Sequence, residues 1–333
     1  MRVVLVLLAL PPLALGAGLV ALRVVPDLQQ WSGLAMVASF VPYGVAAWLV
    51  AALLALLATA TSVRRHGWRR SRAATVVAAT TVAGLVLQLS WLAPDLVPDR
   101  PARPNGPTVT VVTLNLFVGR ADPDQVMAAL AGADVVMLVE VTPEAEAALD
   151  ARGLAERLPH RVGRSEPGVN GSLLLSRYPL GEHAQIESTY QQWWALVDVP
   201  RWGATTFAVV HPTNPPDSTS RWFAENEAVR TALRPRVGGP AVIAGDFNAT
   251  TDHVTMRKFS ADGWRTSRDL AGAGHLPTWP AAGTVDLAGI PVPPMITIDH
   301  VLLSPRLTAV GHETFVVPGT DHHGVRTELA LAP

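Results

Sequence analysis

Asp246 and Asn248 stand one residue apart in AGDFNAT, residues 244–250, just after the apolar run GGPAVI. On an extended chain, alternate side chains point the same way. The carboxylate and the amide therefore project together from a strand end, with Phe247 turned back into the packing. Such a pair suits a phosphate or a metal-bound water, and it is also an ordinary way to turn a chain. Other polar residues recur in the same setting. Asn115 sits in TLNL, Glu140 in VVMLVEV and His211 at the end of TFAVVHP; Asp299 lies in TIDHVLLS, and Asp321 and His322 in GTDHHG. A carboxylate inside a run as apolar as VVMLVEV is costly unless it is paired or metal-bound. One such residue reads as a buried salt bridge. Six strands that each carry one are hard to explain as core chemistry.

The elements that must hold these residues alternate between strands and helices. Strands are expected at 108–116, 134–141, 171–176, 194–199, 205–211, 240–246, 296–303, 313–317 and 324–331. Asp122-Pro123 and Thr142-Pro143 open helices, each with a capping side chain followed by a proline at the first helical position. The spacing of RWFAENEAVRTAL predicts a helix over 218–233. Single strands between helices occur beside consecutive strand pairs such as 194–199 with 205–211. That mixture predicts mixed sheets covered by helices rather than a purely parallel barrel.

The ordered set TLNL, VVMLVEV, SLLLSRYPL, AVVHP, AGDFNA, IDHVLLS and TDHHGV, spread over residues 108–331, resembles the endonuclease/exonuclease/phosphatase superfamily. The resemblance implies a DNase I-like α/β (α+β) four-layer sandwich, two mixed β-sheets flanked by helices, with the site at one edge. It also implies roles. Glu140 matches the Mg²⁺-ligand Glu, and Asn115 the Asn that helps hold metal and phosphate. Asp246 and Asn248 match the pair beside the scissile phosphate, His211 a phosphate-contacting His, and Asp321-His322 the closing Asp-His pair. Asp299 matches the Asp that orients that His. The family's closing Ser-Asp-His is here Thr320-Asp321-His322, and the extra His323 raises the question of which His is catalytic; the spacing favours His322.

The chemistry is coherent on its own terms. Mg²⁺, or Mn²⁺ in its place, on Glu140 with Asn115 and Asp321 nearby would neutralise phosphoryl charge and keep exchangeable waters. His322, held by Asp299, can take a proton from the attacking water. His211 and Asn248 can donate to non-bridging oxygens. Asp246 either orients the water or protonates the leaving oxygen. Arg177 in LLLSRYPL is a further phosphate contact to test, although an Arg at a strand end is more often structural. Arg221 either faces the site or, the better reading, is a solvated helix residue. Trp193, Trp194 and Trp279 either line a substrate groove or, the better reading, pack in the core. His160, His183, His253, His275 and His312 read as surface or packing residues.

Charge and hydropathy divide the chain. Among 333 residues there is no Cys, which excludes a disulfide framework and thiolate metal sites. Before Asp95 stand seven of the 26 basic residues, all Arg, and only one acid, Asp27; the rest carries a net charge of about −7 with His neutral. Residues 3–22, 28–63 and 73–94 carry no charge, and runs of 18 or more can cross a bilayer core. The first run is too long for a signal peptide and contains Pro11-Pro12. The middle run is too long for one simple span and short for two, and Pro42 and Gly44 break it. Three spans are expected, at 3–22, 42–62 and 73–94, with an interfacial piece around Trp31. The Arg-rich loop SVRRHGWRRSR, residues 62–72, marks the cytoplasmic side, which places the rest of the chain outside. Residues 95–107 form a Pro-rich linker, and the catalytic domain follows over 108–333.

These readings predict a multi-pass cell-membrane protein carrying an extracytoplasmic, metal-dependent phosphoesterase. Its partners are the lipid bilayer and a phosphoester substrate, either nucleic acid or a lipid or small phosphoester, with no obligate protein partner inferred. The acidic balance and the lack of a basic-aromatic stripe count against nucleic acid. The competing class is a catalytically inactive membrane protein that keeps the fold as a binding module.

Overall fold

The structure, a computed structural model, describes residues 2–67, 71–96 and 106–333. Arg69 and Arg70 of the Arg-rich loop, and most of the expected linker, lie outside the described residues. The chain divides into two compact units, one spanning Met1–Leu96 and the other covering nearly all that follows.

The first unit is helical, with α1 (Arg2–Val24), α2 (Ser32–Ala38), α3 (Gly44–His66) and α4 (Arg72–Leu96). Short 3₁₀ turns at Pro26–Gln30 and Val41–Tyr43 break the long middle run around its prolines, so one long helix emerges from it. Three segments, Val3–Val24, Val41–Arg64 and Arg72–Asp95, are long and apolar enough to cross a membrane. Trp48 sets their spacing. A Cβ at Gly16 or Gly84 would lie within 3 Å of its ring, so only glycine admits the indole there. Outward-facing Val3, Leu7, Leu15, Leu53 and Val86 are more than half exposed.

The second unit contains β1 (Val109–Asn115), α5 (Pro123–Ala129), β2 (Val135–Val139), α6 (Pro143–Asp150), α7 (Leu154–Arg157), β3 (His160–Arg164), β4 (Ser172–Ser176), β5 (Leu180–Gln185), β6 (Trp193–Val199) and β7 (Gly203–Val210). It continues through α8 (Pro215–Leu233), β8 (Ala241–Asp246), α9 (Val254–Ala261), β9 (Arg265–Thr266), α10 (Ser267–Leu270), β10 (Asp286–Leu287), β11 (Ile290–Pro291), β12 (Asp299–Leu303), β13 (Leu307–Phe315) and β14 (Gly324–Leu331). Two six-stranded sheets form, in the orders β13-β14-β1-β2-β4-β3 and β5-β6-β7-β8-β12-β9. Both are mixed: β1–β2 and β7–β8 pair in parallel and the remaining neighbours antiparallel.

The period of two along each strand builds the layers. Val111, Met137 and Val139 meet Val197, Phe207, Val209 and Val242 between the sheets. Val112, Leu114, Val136 and Leu138 point the other way, onto Val126, Met127, Leu149 and Leu154 of the helices. Helices on the outer faces complete the four-layer sandwich. The Pro-opened helices cap as their sequences require: Asp122 accepts from the N–H of Asp124 and Gln125, and Thr142 from that of Ala145. Several corrections apply to the expected elements, which also lacked the short strands β9, β10 and β11 and the helices α7, α9 and α10. β12 begins at Asp299 rather than 296, and β13 covers 307–315 rather than 313–317. The strands β3 and β5 were not anticipated, because edge strands such as HRVGR and LGEHAQ bury one face at most and read as polar loop.

Candidate active site

The topology collects one end of many strands. β1 and β2 run in parallel and finish at Asn115 and just before Glu140. β7 and β8 run in parallel and lead to His211 and Asp246. β12 runs the other way, so its first residue, Asp299, pairs with Asp246. β14 is antiparallel to β1, which puts the preceding Asp321-His322 at the same edge. The amide of Asn115 joins the two sheets there. Its Nδ2 donates to Glu140 Oε1 at 3.0 Å and to Asp246 Oδ2 at 3.2 Å.

Local backbone is bent to make this possible. Phe117, Val118, Glu140 and Asn248 all have φ between 47 and 55°. That region disfavours non-glycine residues, most of all a β-branched one, and such strain gathers at functional sites. Here it turns the N–H of Val118 onto Glu140 Oε2 at 2.8 Å and the N–H of Asn248 onto Asp246 Oδ1 at 2.8 Å. Gly245, between β7 and β12, could not be another residue: an added Cβ would sit 2.0 Å from the Val210 carbonyl oxygen.

His322 is bonded to Asp299, Nδ1 to Oδ2 at 2.8 Å, and both are buried. Its Nε2 faces Asp246 Oδ2 at 3.7 Å and Asp321 Oδ1 at 3.9 Å. Thr320 shapes this turn, donating from Oγ1 to the Asn115 carbonyl and accepting from the N–H of His322. His323 directs its N–H to the Thr278 carbonyl, and its ring Nε2 has no partner among the described residues. His211 lies on the far side, its Nε2 3.8 Å from Asp246 and 3.9 Å from Glu140, with Tyr190 against its ring at a centroid separation of 5.0 Å.

Electrostatics set this cluster apart. Burial raises the pKa of Glu140, and the nearby charge of Asp321 raises it further. Burial and then the charge of Asp299 raise that of Asp246. For His322 burial opposes the charged ring, but Asp299, Asp246 and Asp321 outweigh it and its pKa rises to about 10. Burial, reinforced by the charge of His322, holds His211 neutral, with a pKa lowered to about 4. Asp299 Oδ1 and Asp321 Oδ1 are buried without hydrogen-bond partners among the described residues.

Four buried or half-buried carboxylates, Glu140, Asp246, Asp299 and Asp321, two of them with an unbonded oxygen and none paired with Arg or Lys among the described residues, fit a hard divalent cation. Asp246, Asp299 and His322 could hold a metal ion, with one ligand atom from each lying within 4.8 Å of the others. Two sequence expectations change. Asn115 Oδ1 accepts the Phe117 N–H at 2.9 Å, so the amide shows its NH₂ face to the carboxylates rather than a ligating oxygen. Arg177 is not in the site. β4 is antiparallel to β2, so Arg177 leaves the opposite end of the sheet, where it pairs with Asp134 at 3.2 Å.

Two aromatic residues join the site, and only Tyr190 does so without a signal in the sequence. Trp279, expected in the packing, is half-buried and donates from Nε1 toward Asp321 Oδ2 at 3.4 Å. Tyr190 comes from the β5–β6 loop. Glu225 ties that loop down, accepting from the N–H of Thr189 and from both the N–H and Oγ1 of Thr213. Nothing in ESTYQQ marks Tyr190, because its position depends on a carboxylate 35 residues away.

The model of the Endonuclease/Exonuclease/phosphatase family matches residues 112–322, more than half of the chain. The chain belongs to this family. Members of the family are typically metal-dependent phosphoester hydrolases, and the buried Asp/His cluster is consistent with such an active site. A family member from Bacteroides vulgatus is 17% identical at a TM-score of 0.53, covering 68% of this chain and 100% of its own. One from Bacteroides thetaiotaomicron is 14% identical at 0.51, covering 70% and 100%. The human Nocturnin catalytic domain, solved with a bound sulfate anion, is 17% identical at 0.51, covering 68% and 94%. At these identities the likeness extends to the DNase I-like fold alone. No curated protein matches the chain.

Proposed function

We propose that residues 108–333 form a divalent-metal-dependent phosphodiesterase, carried on a membrane anchor made of helices α1, α3 and α4 and the linker 95–107. The observation that carries the reading is the buried pair of His322 and Asp299, with His322 Nε2 aimed at a cluster of carboxylates that no Arg or Lys balances.

Glu140 and Asp321, with Asn115 beside them, would hold the cation, rather than Asp246, Asp299 and His322, because Asp299 and His322 are bonded to each other and His322 Nε2 is needed for the water. A bound Mg²⁺ or Mn²⁺ would neutralise phosphoryl charge and offset the field of the carboxylates. Asp299 fixes the His322 tautomer through Nδ1, which leaves Nε2 to accept the proton of the attacking water. Asp246, 3.7 Å from that nitrogen, lies where it can orient the same water or protonate the leaving oxygen. Neutral His211 and Asn248 donate to the non-bridging oxygens as charge builds on them. Asn248 is steadied by its own Nδ2 bond to the Pro212 carbonyl at 3.0 Å. The net negative charge of the domain disfavours a long polyanion, which leaves a lipid headgroup or small phosphoester as substrate.

The experiment is hydrolysis of a panel by the whole chain in detergent: DNA, RNA, phospholipids and a chromogenic phosphodiester, with Mg²⁺, Mn²⁺ or EDTA. Activity on a diester that EDTA abolishes is expected, and full activity without metal overturns the mechanism. The Arg-rich loop favours a domain outside the cytoplasm; with that orientation a C-terminal alkaline phosphatase fusion should be active and a fluorescent-protein fusion dark.

A further inference from the structure

In the second unit, the described residues expose four large apolar side chains by more than 40%: Leu287, Ile290, Val316 and Leu331. Leu287 and Ile290, at 73% and 70%, face each other across the small ladder of β10 and β11. Ala288 and Gly289 form the tip, closed by the Gly289 N–H on Asp286. From Leu287 to Ile298 the chain carries no charge. A two-stranded hairpin this short has no core of its own and is expected to need support at its stem.

The stem stands on the active site. The N–H of Ala281 donates to the Asp321 carbonyl, and Trp279 both bridges to Ile296 and points its indole N–H at the Asp321 carboxylate. Thr278, one residue earlier, accepts the N–H of Asp299 on its hydroxyl and that of His323 on its carbonyl. Val316 lies on the loop that leads into Asp321. The exposed apolar tip and the catalytic cluster thus share one scaffold.

We propose that the β10–β11 hairpin is a bilayer-contacting tip that brings the phosphodiester of a lipid headgroup to the site. The proposal rests on the phosphoesterase reading above and gives it a substrate class. The occupant follows from the chain itself, which carries three segments apolar enough to span a membrane and joins them to the domain by a short connector. The chemistry of the tip is that of an interfacial contact: apolar side chains at the end, an acid at the base and no Lys or Arg. Its attraction to a bilayer is therefore hydrophobic, and insensitive to salt and to anionic lipid.

The test uses the whole chain in phosphatidylcholine vesicles. Because the protein has no Cys, Ala288→Cys provides one labelling point for an environment-sensitive fluorophore. Ala204→Cys, at the start of β7 and so at the far end of its strand from His211, is the control. Lipids carrying a quencher should quench the label at 288 and not at 204, equally at low and high salt. In parallel, the double variant Leu287→Asp/Ile290→Asp should hydrolyse vesicle phospholipid at least tenfold more slowly and a soluble chromogenic phosphodiester at the parent rate. Equal accessibility of both labels overturns the proposal. So does equal loss on both substrates, which would make the hairpin a structural part of the site. Concentration-dependent self-association that the double variant abolishes, without quenching at 288, would assign the tip to a second copy of the chain. Absence of any phosphoester hydrolysis by the parent would overturn the catalytic reading, while the quenching still decides whether the tip meets lipid.

Discussion

The two ends of the first sheet treat buried charge in opposite ways. At one end Asp134, just before β2, is nearly covered, and every oxygen is answered. Its Oδ2 accepts the Thr110 N–H at 2.9 Å, and its Oδ1 takes the Tyr178 hydroxyl at 3.0 Å and Arg177 at 3.2 Å. At the other end Glu140, just after β2, meets an amide and a backbone N–H but no Arg or Lys among the described residues, beside Asp246 and Asp321. A satisfied carboxylate is part of the scaffold. A group of carboxylates left short of positive charge stores unfavourable electrostatics, and a protein retains that cost where chemistry uses it.

The largest effect that would sharpen this contrast lies in the dyad. His322→Ala should lower the rate by about 10²–10⁴-fold, the size of a general-base contribution. Asp299→Asn should also cut the rate, and the double variant should lose less than the product of the two, since both act through one imidazole. His323→Ala should change little. A large loss at His323 with near-normal activity at His322 would break the comparison.

Next is Glu140→Gln. Removing a carboxylate whose pKa is raised by burial should leave the metal-free melting temperature unchanged or higher, while the stabilisation that Mg²⁺ confers on the parent disappears. A fall in metal-free stability would mean that Glu140 is as well satisfied as Asp134. At the opposite end the pattern should invert. Asp134→Ala should cost about 2 kcal/mol by stranding three donors, with kcat unchanged, as urea unfolding and a steady-state assay would show. Arg177→Ala, on a half-exposed side chain, should cost under about 1 kcal/mol and leave activity intact.

The smallest effect concerns pH. His300 is buried, donates to the Ala249 carbonyl at 2.8 Å and has its pKa lowered to about 4 by burial. In the unfolded chain it titrates near 6.5. Protons therefore bind the unfolded state preferentially between those values. Stability from this group is complete above pH 6.5 and is lost as pH falls toward 4, at up to about 1.4 kcal/mol per unit. His300→Gln should flatten that part of the pH–stability curve; an unchanged slope would remove His300 from the account.

Much of this was legible in the chain. The short, nearly continuous apolar and β-branched runs VTVVTLN and VVMLV specify strands buried on both faces, and the caps Asp122-Pro123 and Thr142-Pro143 specify helix starts, because these depend on neighbours a few residues away. The polar residues at strand ends were visible for the same reason: a Glu after five buried apolar residues stands out wherever the strand goes. Apolar runs without charge also declared their length against a bilayer.

What only the tertiary structure decided is which of those strand ends meet. Arg177 follows an apolar strand just as His211 does, yet antiparallel pairing of β4 with β2 sends it to the opposite end of the sheet, beside Asp134. Direction is a property of pairing, and pairing is settled by partners tens of residues away. The same holds for His322 over His323, where the Asp299 carboxylate meets one ring and not the other. It holds again for Trp279 and Tyr190, which reach the site because Asp321 and Glu225 hold their loops there. Composition and periodicity are local quantities and survive in the sequence. The register that turns the polar residues of six separate strand ends into one cluster is a long-range one, and exists only once the two sheets have packed.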